Sequence, residues 1–509
     1  MYSTRSRKVT GLWTMTVVLL VCATAFKWST GLGADDGATW SVLASGLALL
    51  VPIGLALLAS GGFADERAAL AALLGIAALS VAVVGYLLTG FAFQFGGIGL
   101  IAPTSGLKDL IWEWSFLDAN WGLGWGILGL RGFALSAEAS NPAAYTLFFS
   151  QLAPVATAVL LPLLALRNRV GPLVALITTL LVSMIIYPVA GNWVWGGGWL
   201  ANLGTNLGWG HGFVDYAGSG MIHLLGACIA LAGLIVFTPP PGDSLETQPA
   251  RMPPIQLPIL SVLGSFVVLP GGIGLALANP LSAGNGVASP VIVVNLTLAA
   301  AGGALLALLY SWFTTGQPNV YMTARGFVCG VVAVSAACPF VPAWLALLIG
   351  ASAGLLLPLM SYFFTCVIKL SDHALIVPIH GISAVWGLLA VGLFASGQYG
   401  AGWNGVGVEE FLGVKGQGVT GLLTATNLQP DFPLQLYAQL VGLAAIAAFA
   451  FLSAWLVFRL LSAVTISSDA LQAVAVTTGP ATGASPVPVT PEADSTSSQH
   501  ISPTDQRSQ

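Results

Sequence analysis

Three ionisable residues stand among neighbours that are almost all apolar. Asp215 and His223 bound the stretch Asp215-Tyr216-Ala217-Gly218-Ser219-Gly220-Met221-Ile222-His223, and His380 lies beside Gly381 in a later apolar run. An ionisable group in hydrocarbon costs at least roughly 2.5–3.5 kcal/mol, so one that is kept there is a functional candidate. A neutral imidazole offers one donor and one acceptor and can take up or relay a proton near neutral pH. The eight-residue step from Asp215 to His223 is about 2.2 helical turns, roughly 12 Å along an axis, so the two cannot touch within one helix. In a first turn the carboxylate can instead accept from unpaired backbone N–H groups and complement the helix dipole. One histidine in a membrane core is ordinarily hydrogen-bonded glue. Two of them, five spans apart in a bundle with almost no other charge, point to proton handling. His373 lies seven residues before His380, on about the same helix face, and reads as structural. His211 and His500 read as facing water.

The elements that position these groups follow from composition. Of 509 residues, 56% are hydrophobic and only 7% are Asp, Glu, Lys or Arg, against about 25% charged in soluble domains. A soluble enzyme, a nucleic-acid binder and a disordered chain are excluded; the class is an all-α polytopic membrane protein. Five cysteines without a C-x-x-C give neither a disulfide framework nor a zinc site, and no metal or cofactor is expected. Cys228, Cys329 and Cys366 lie in apolar runs as small hydrophobes. Residues 1–25 carry Arg5, Arg7 and Lys8, an apolar stretch and Ala23-Thr24-Ala25, the order of a signal peptide, with an uncleaved extra helix as the alternative.

A span needs roughly 20 apolar residues, and about eleven such runs follow, near Thr39–Gly61, Ala68–Phe93, Ala144–Leu166, Gly171–Ala190, Gly218–Phe237, Gln256–Leu277, Pro290–Trp312, Gly326–Phe340, Trp344–Ile368, Ala374–Ala395 and Leu434–Leu460. Arg67, Arg167, Arg169, Arg251, Arg325, Lys369 and Arg459 fall on the side of the C-terminal tail, and only Lys108, Arg131 and Lys415 on the other. The positive-inside rule then puts the C-terminus in the cytoplasm and the mature N-terminus outside the cell (inner) membrane. The outer loop Gly96–Pro142 holds Trp112, Trp114, Trp121 and Trp125, which read as an interfacial belt. Residues 35–462 form the membrane domain, and 463–509, polar and poor in aromatics toward the end, read as a disordered cytoplasmic tail.

The stretch from Trp195-Gly196-Gly197-Gly198 through Asp215-Tyr216-Ala217-Gly218 to His223 resembles the signature of the ammonium transporter/methylammonium permease/Rhesus family. Gly326–Cys338 resembles that family's eighth span, Asp372–Gly387 its tenth, and Thr39–Phe95 its first two; the likeness covers roughly residues 35–460. The resemblance implies a homotrimer with one pore per subunit, built from an inverted repeat of spans one to five and six to ten plus a peripheral last helix. It implies that His223 and His380 are paired pore histidines, that Asp215 supports an outer ammonium site, and that Trp195 is the aromatic touching the cation there. The implied function is ammonium/ammonia transport, not an enzyme activity.

A ring face can hold a cation for up to about 2 kcal/mol when desolvated, while an apolar conduit excludes any unpaired ion. Ammonium alone can shed a proton and cross as a small neutral molecule. The chain departs from the family where two phenylalanines usually gate the entrance: alignment places Ala153 or Leu152 at the first position and Leu275 at the second. Asn279 stands where the family has an outer-site serine, and the loop between Trp195 and Asp215 is longer than usual. These departures leave open a channel for another small neutral solute or a non-conducting ammonium receptor. A metalloenzyme with His223, His380 and Asp215 as ligands lacks any short-range ligand spacing. The acidic tail motif through which family members meet PII-type signal proteins is not evident after Arg459, so that partner is not expected.

Overall fold

Backbone groups inside a bilayer find no water, so a spanning chain must satisfy its own N–H and C=O groups, and long apolar runs do so as helices. The computed structural model describes residues 36–61, 65–102, 104–117, 124–167, 169–238, 256–282 and 289–478. The expected signal peptide, Trp121, Arg251, His500 and the end of the tail lie outside these residues. Ten helices among them are long and apolar enough to cross a membrane: α1 (Gly37–Gly61), α2 (Leu73–Leu100), α3 (Pro142–Leu166), α4 (Pro172–Val194), α5 (Ser219–Val236), α6 (Pro258–Ala278), α7 (Ser289–Thr315), α9 (Ala343–Val367), α10 (Val377–Phe394) and α11 (Leu434–Ala463). The remaining expected span, the eighth, near Gly326–Phe340, is the shorter apolar helix α8 (Val320–Ser335).

Sixteen residues of α8 rise only about 24 Å, short of a roughly 30 Å hydrocarbon core. Residues 336–340 complete the passage as turns, and each of them is buried. Irregular backbone at such depth is tolerated where protein, not lipid, surrounds it. The partners are visible. Ser219 Oγ donates to Val332 O at 2.7 Å and accepts from Ala336 N at 2.9 Å, while Tyr216 N and Ala217 N donate to Ala336 O and Ser335 O.

Caps and small residues set the helix ends and crossings. Asn141 caps α3 by accepting from Ala144 N, with Pro142 in the first turn, and Asn319 caps α8 through Met322 N. Helices α7, α8 and α9 cross at Gly303, Gly330 and Gly354, where an added Cβ would strike Gly326, Ala299 and Gly303 backbone atoms respectively. Large apolar side chains also point outward from the chain, among them Ile76 at 69% and Phe313 at 85% exposure, the surface expected of helices facing lipid.

Helices α4 and α5 carry π-helical turns at Val182–Ile186 and Ser219–Leu224; α9 and α10 carry them at Phe363–Val367 and Val377–Ile382. The fourth and fifth spans of each half thus share one irregularity, as two related halves should. Contacts divide the chain into residues up to Ser462 and residues from Ala463, and every candidate site residue belongs to the first unit. The last helix runs Leu434–Thr478, so residues 463–478 are helical, where the sequence reading placed a disordered tail. Cys366, expected to pack inside an apolar run, is exposed on the surface of the chain.

Candidate functional site

The site is built at the starts of α5 and α10. Ahead of α5, Gly218 takes a left-handed φ of 88° that other residues adopt only with strain. This turn brings Asp215 back over the helix end, where its Oδ2 accepts from Gly220 N at 2.9 Å and Met221 N at 2.8 Å. A Cβ at position 220 would lie 3.1 Å from that oxygen. The second half repeats the device: Asp372 Oδ2 accepts from Val377 N at 2.7 Å at the start of α10. Each aspartate precedes its histidine by eight residues. Each histidine falls in the π-helical turn that its aspartate caps, a backbone irregularity common at functional sites.

The two turns bring His223 and His380 together. Nδ1 faces Nδ1 at 3.1 Å, the ring centroids are 5.0 Å apart, and the ring planes differ by 15°. Both are buried, at 6% and 1% exposure. A shared Nδ1–Nδ1 hydrogen bond requires one ring to donate and the other to accept. The donor ring then leaves its Nε2 as an acceptor, and the partner ring carries its proton on Nε2. The pair therefore presents one acceptor and one donor beyond the bond that joins it.

Trp195 lies beside Asp215 but does not touch its carboxylate: the indole N–H donates to Asp215 O at 2.8 Å. Burial pushes the Asp215 carboxyl up to about 6, held back by backbone N–H groups from Met221, Gly220, Gly218 and Ser219. Its Oδ1 has no hydrogen-bond partner among the described residues. Three further aromatics form a cluster that includes Tyr216, the residue that follows Asp215. Tyr216 packs on Trp403 with centroids 5.6 Å apart, and both meet Phe340, at 6.0 and 5.5 Å. Trp403 arrives from the glycine-rich loop that follows α10, residues 396–433.

Other candidates are placed apart. Ala153 and Leu152 are buried in α3, and Leu275 is partly buried on α6. Asn279 follows the end of α6, and its Oδ1 accepts from Leu281 N at 3.0 Å, so that oxygen is engaged in a local turn. A polar network missed from the sequence lies under α2 to α4. Tyr86 donates to Gln94 Oε1, Gln94 Nε2 donates to Gln151 Oε1, and Tyr187 donates to the same oxygen. Of the outer-loop tryptophans, Trp112 and Trp114 are exposed as a belt requires, whereas Trp125 is buried.

Two histidine expectations are overturned. His211 is fully buried, its ring tilted against Phe411 with centroids 4.2 Å apart and both ring nitrogens unpartnered among the described residues, because the glycine-rich loop folds over it. Burial pushes it down to about 4. His373 is exposed and lies outside the helix, since Leu375 breaks the backbone at φ 56° before α10 begins. It shares no helix face with His380. Among the described residues no group of three or more His, Cys, Asp or Glu side chains is placed to hold a metal ion.

Comparison with known proteins bears on what such a pair does. A family profile described as Ammonium Transporter Family matches residues 39–470. The chain is 32% identical over 365 residues to the ammonium transporter Amt2 of Archaeoglobus fulgidus, covering 71% of this chain and 72% of that protein. It is 26% identical over 391 residues to the ammonium transporter of Aquifex aeolicus, covering 75% and 82%. Among solved structures it superposes on a sensor Amt protein with a TM-score of 0.66 at 22% identity, covering 84% of this chain and 93% of that one. For Mep2 of Saccharomyces cerevisiae the TM-score is 0.64 at 21% identity, with 82% and 84% covered. At these identities the structural likeness speaks for the fold.

Proposed function

Because the chain belongs to the ammonium transporter family, we propose that it moves ammonium across the membrane by removing a proton at the outer mouth and passing ammonia between His223 and His380. The cation is recruited beside Trp195, with the buried Asp215 charge and its helix end supporting the site. Ammonia then meets the paired rings, where the free acceptor and donor replace hydrogen bonds it loses on leaving water. Potassium and sodium have no proton to shed and stay out, because an unpaired ion in an apolar passage is prohibitively costly. Selectivity thus follows from acid–base chemistry, not from a size filter.

The observation that carries this reading is the 3.1 Å contact between two buried imidazoles from opposite halves of the chain. Ala153 and Leu275 stand at the gate positions as small and aliphatic residues, leaving a wider outer mouth than paired phenylalanines would. Subunits assemble as trimers with one passage each, with the mature N-terminus outside the cell membrane and the C-terminus in the cytoplasm. The test is uptake into proteoliposomes at mildly acidic external pH, where free ammonia and its leak through lipid are small. Uptake of labelled ammonium but not of K⁺ is expected. Tight ammonium binding with no uptake would replace the transporter by a receptor, and uptake of other neutral solutes alone would replace the substrate.

A further inference from the structure

The passage below His380 holds a charge that the proposed function has not used. Arg325 is the sixth residue of α8 and borders the same small, narrow cavity as His380, whose other walls include Leu55, Leu58, Leu164, Ile376 and Ile379. The far end of α8 is tied to the start of α5 near Asp215, so Arg325 stands at the opposite end of the bundle from the outer site. The cavity wall is otherwise hydrocarbon, so it screens that charge weakly.

No described carboxylate forms an ion pair with Arg325; the carboxylate whose charge acts on it is Asp372. Asp372 is committed elsewhere. One oxygen accepts from Val377 N at the start of α10, and the other is buried without a partner among the described residues. The same carboxylate also acts on Arg169, whose guanidinium donates to Phe237 O and Ser371 O. One carboxylate between two guanidiniums, and itself bound to a positive helix end, leaves a net positive field at this mouth. A guanidinium cannot discharge itself by losing its proton.

Building on the transport reading above, we propose that Arg325 is a fixed electrostatic barrier below His380 that turns back protons and cations and lets neutral ammonia pass, so that transport moves no net charge. Arginine and positive helix ends bar protons and cations in other narrow membrane pores by the same physics. A proton arriving on His380 would create a second cation facing Arg325 across the cavity. The stripped proton therefore returns to the outer water, NH₃ crosses, and NH₃ takes a proton from the inner water to become NH₄⁺ again. Atoms and charge balance on each side.

The experiment measures two quantities on the full-length protein in proteoliposomes, labelled ammonium taken up and charge displaced. The parent should move less than about one-tenth of an elementary charge per ammonium, and Arg325→Gln should raise that ratio roughly tenfold, while Arg325→Lys keeps it near the parent's. A parent ratio close to one, or a ratio unchanged in Arg325→Gln, overturns the barrier. Should the glutamine variant fail to assemble, the parent's own ratio decides. Absence of ammonium uptake by the parent is a different result: it removes the transport reading itself.

Discussion

At the scale of single residues, the chemistry rests on where a few polar atoms are left unsatisfied. Trp195 is held by its own N–H against Asp215 O, which fixes its ring beside the proposed outer site. Trp195→Leu should therefore raise the half-saturating ammonium concentration several-fold, in keeping with a cation–π contact of about 0.5–2 kcal/mol; an unchanged value in the uptake assay removes the tryptophan from recruitment. His211 makes a separate prediction. Its folded pKa, about 4, lies below the unfolded 6.5, so the unfolded chain binds a proton in that window and the folded one does not. Stability from the neutral ring is fully present above pH 6.5 and is lost as pH falls toward 4, up to roughly 3 kcal/mol. Asp215 and Asp431, both raised to about 6, act in the opposite sense, so the comparison must be between parent and His211→Leu. The thermal midpoint of the variant should gain on the parent as pH falls through this window. A constant gap would show that His211 does not titrate there. His211 was misread from sequence because only the tertiary fold of the loop carrying Phe411 and Gly407 buries it. A methyl at Gly407 would lie 2.9 Å from its Nε2.

At the scale of elements, the spans were legible because a run of apolar residues long enough to cross a bilayer admits few structures other than a helix. The two starts that matter were legible in part. The capping role of Asp215 follows from its place ahead of Gly218-Ser219-Gly220, and the same eight-residue spacing marks Asp372 and His380. Sequence alone does not say that both helices begin in π turns, since that depends on what packs against them. Nor does it link Gln94 to Gln151, which are 57 residues apart. Ser219 is the joint between halves, bonded to both Val332 O and Ala336 N. Ser219→Ala leaves a buried acceptor and donor unpaired and should lower stability by about 1–3 kcal/mol, read as a lower thermal midpoint in detergent. An unchanged midpoint would mean that α8 does not depend on this hydroxyl where it ends short.

At the scale of the molecule, two halves of one chain each contribute one cap, one π turn and one imidazole to a single buried pair. That construction places the paired rings between the halves, where broken or irregular helices can hold a site away from lipid. The proposed trimer predicts a native mass of three 52.2 kDa subunits, less any cleaved leader; a monomer in intact native-membrane discs would contradict it. The most direct measurement of the central claim compares the parent with the His223→Ala/His380→Ala double variant in proteoliposomes, recording ammonium and K⁺ uptake side by side after confirming equal assembly. If the paired imidazoles admit only ammonia already stripped of its proton at the outer mouth, the parent carries ammonium and excludes K⁺, and the double variant loses most ammonium uptake or admits K⁺. Identical uptake and identical discrimination in both proteins would contradict it.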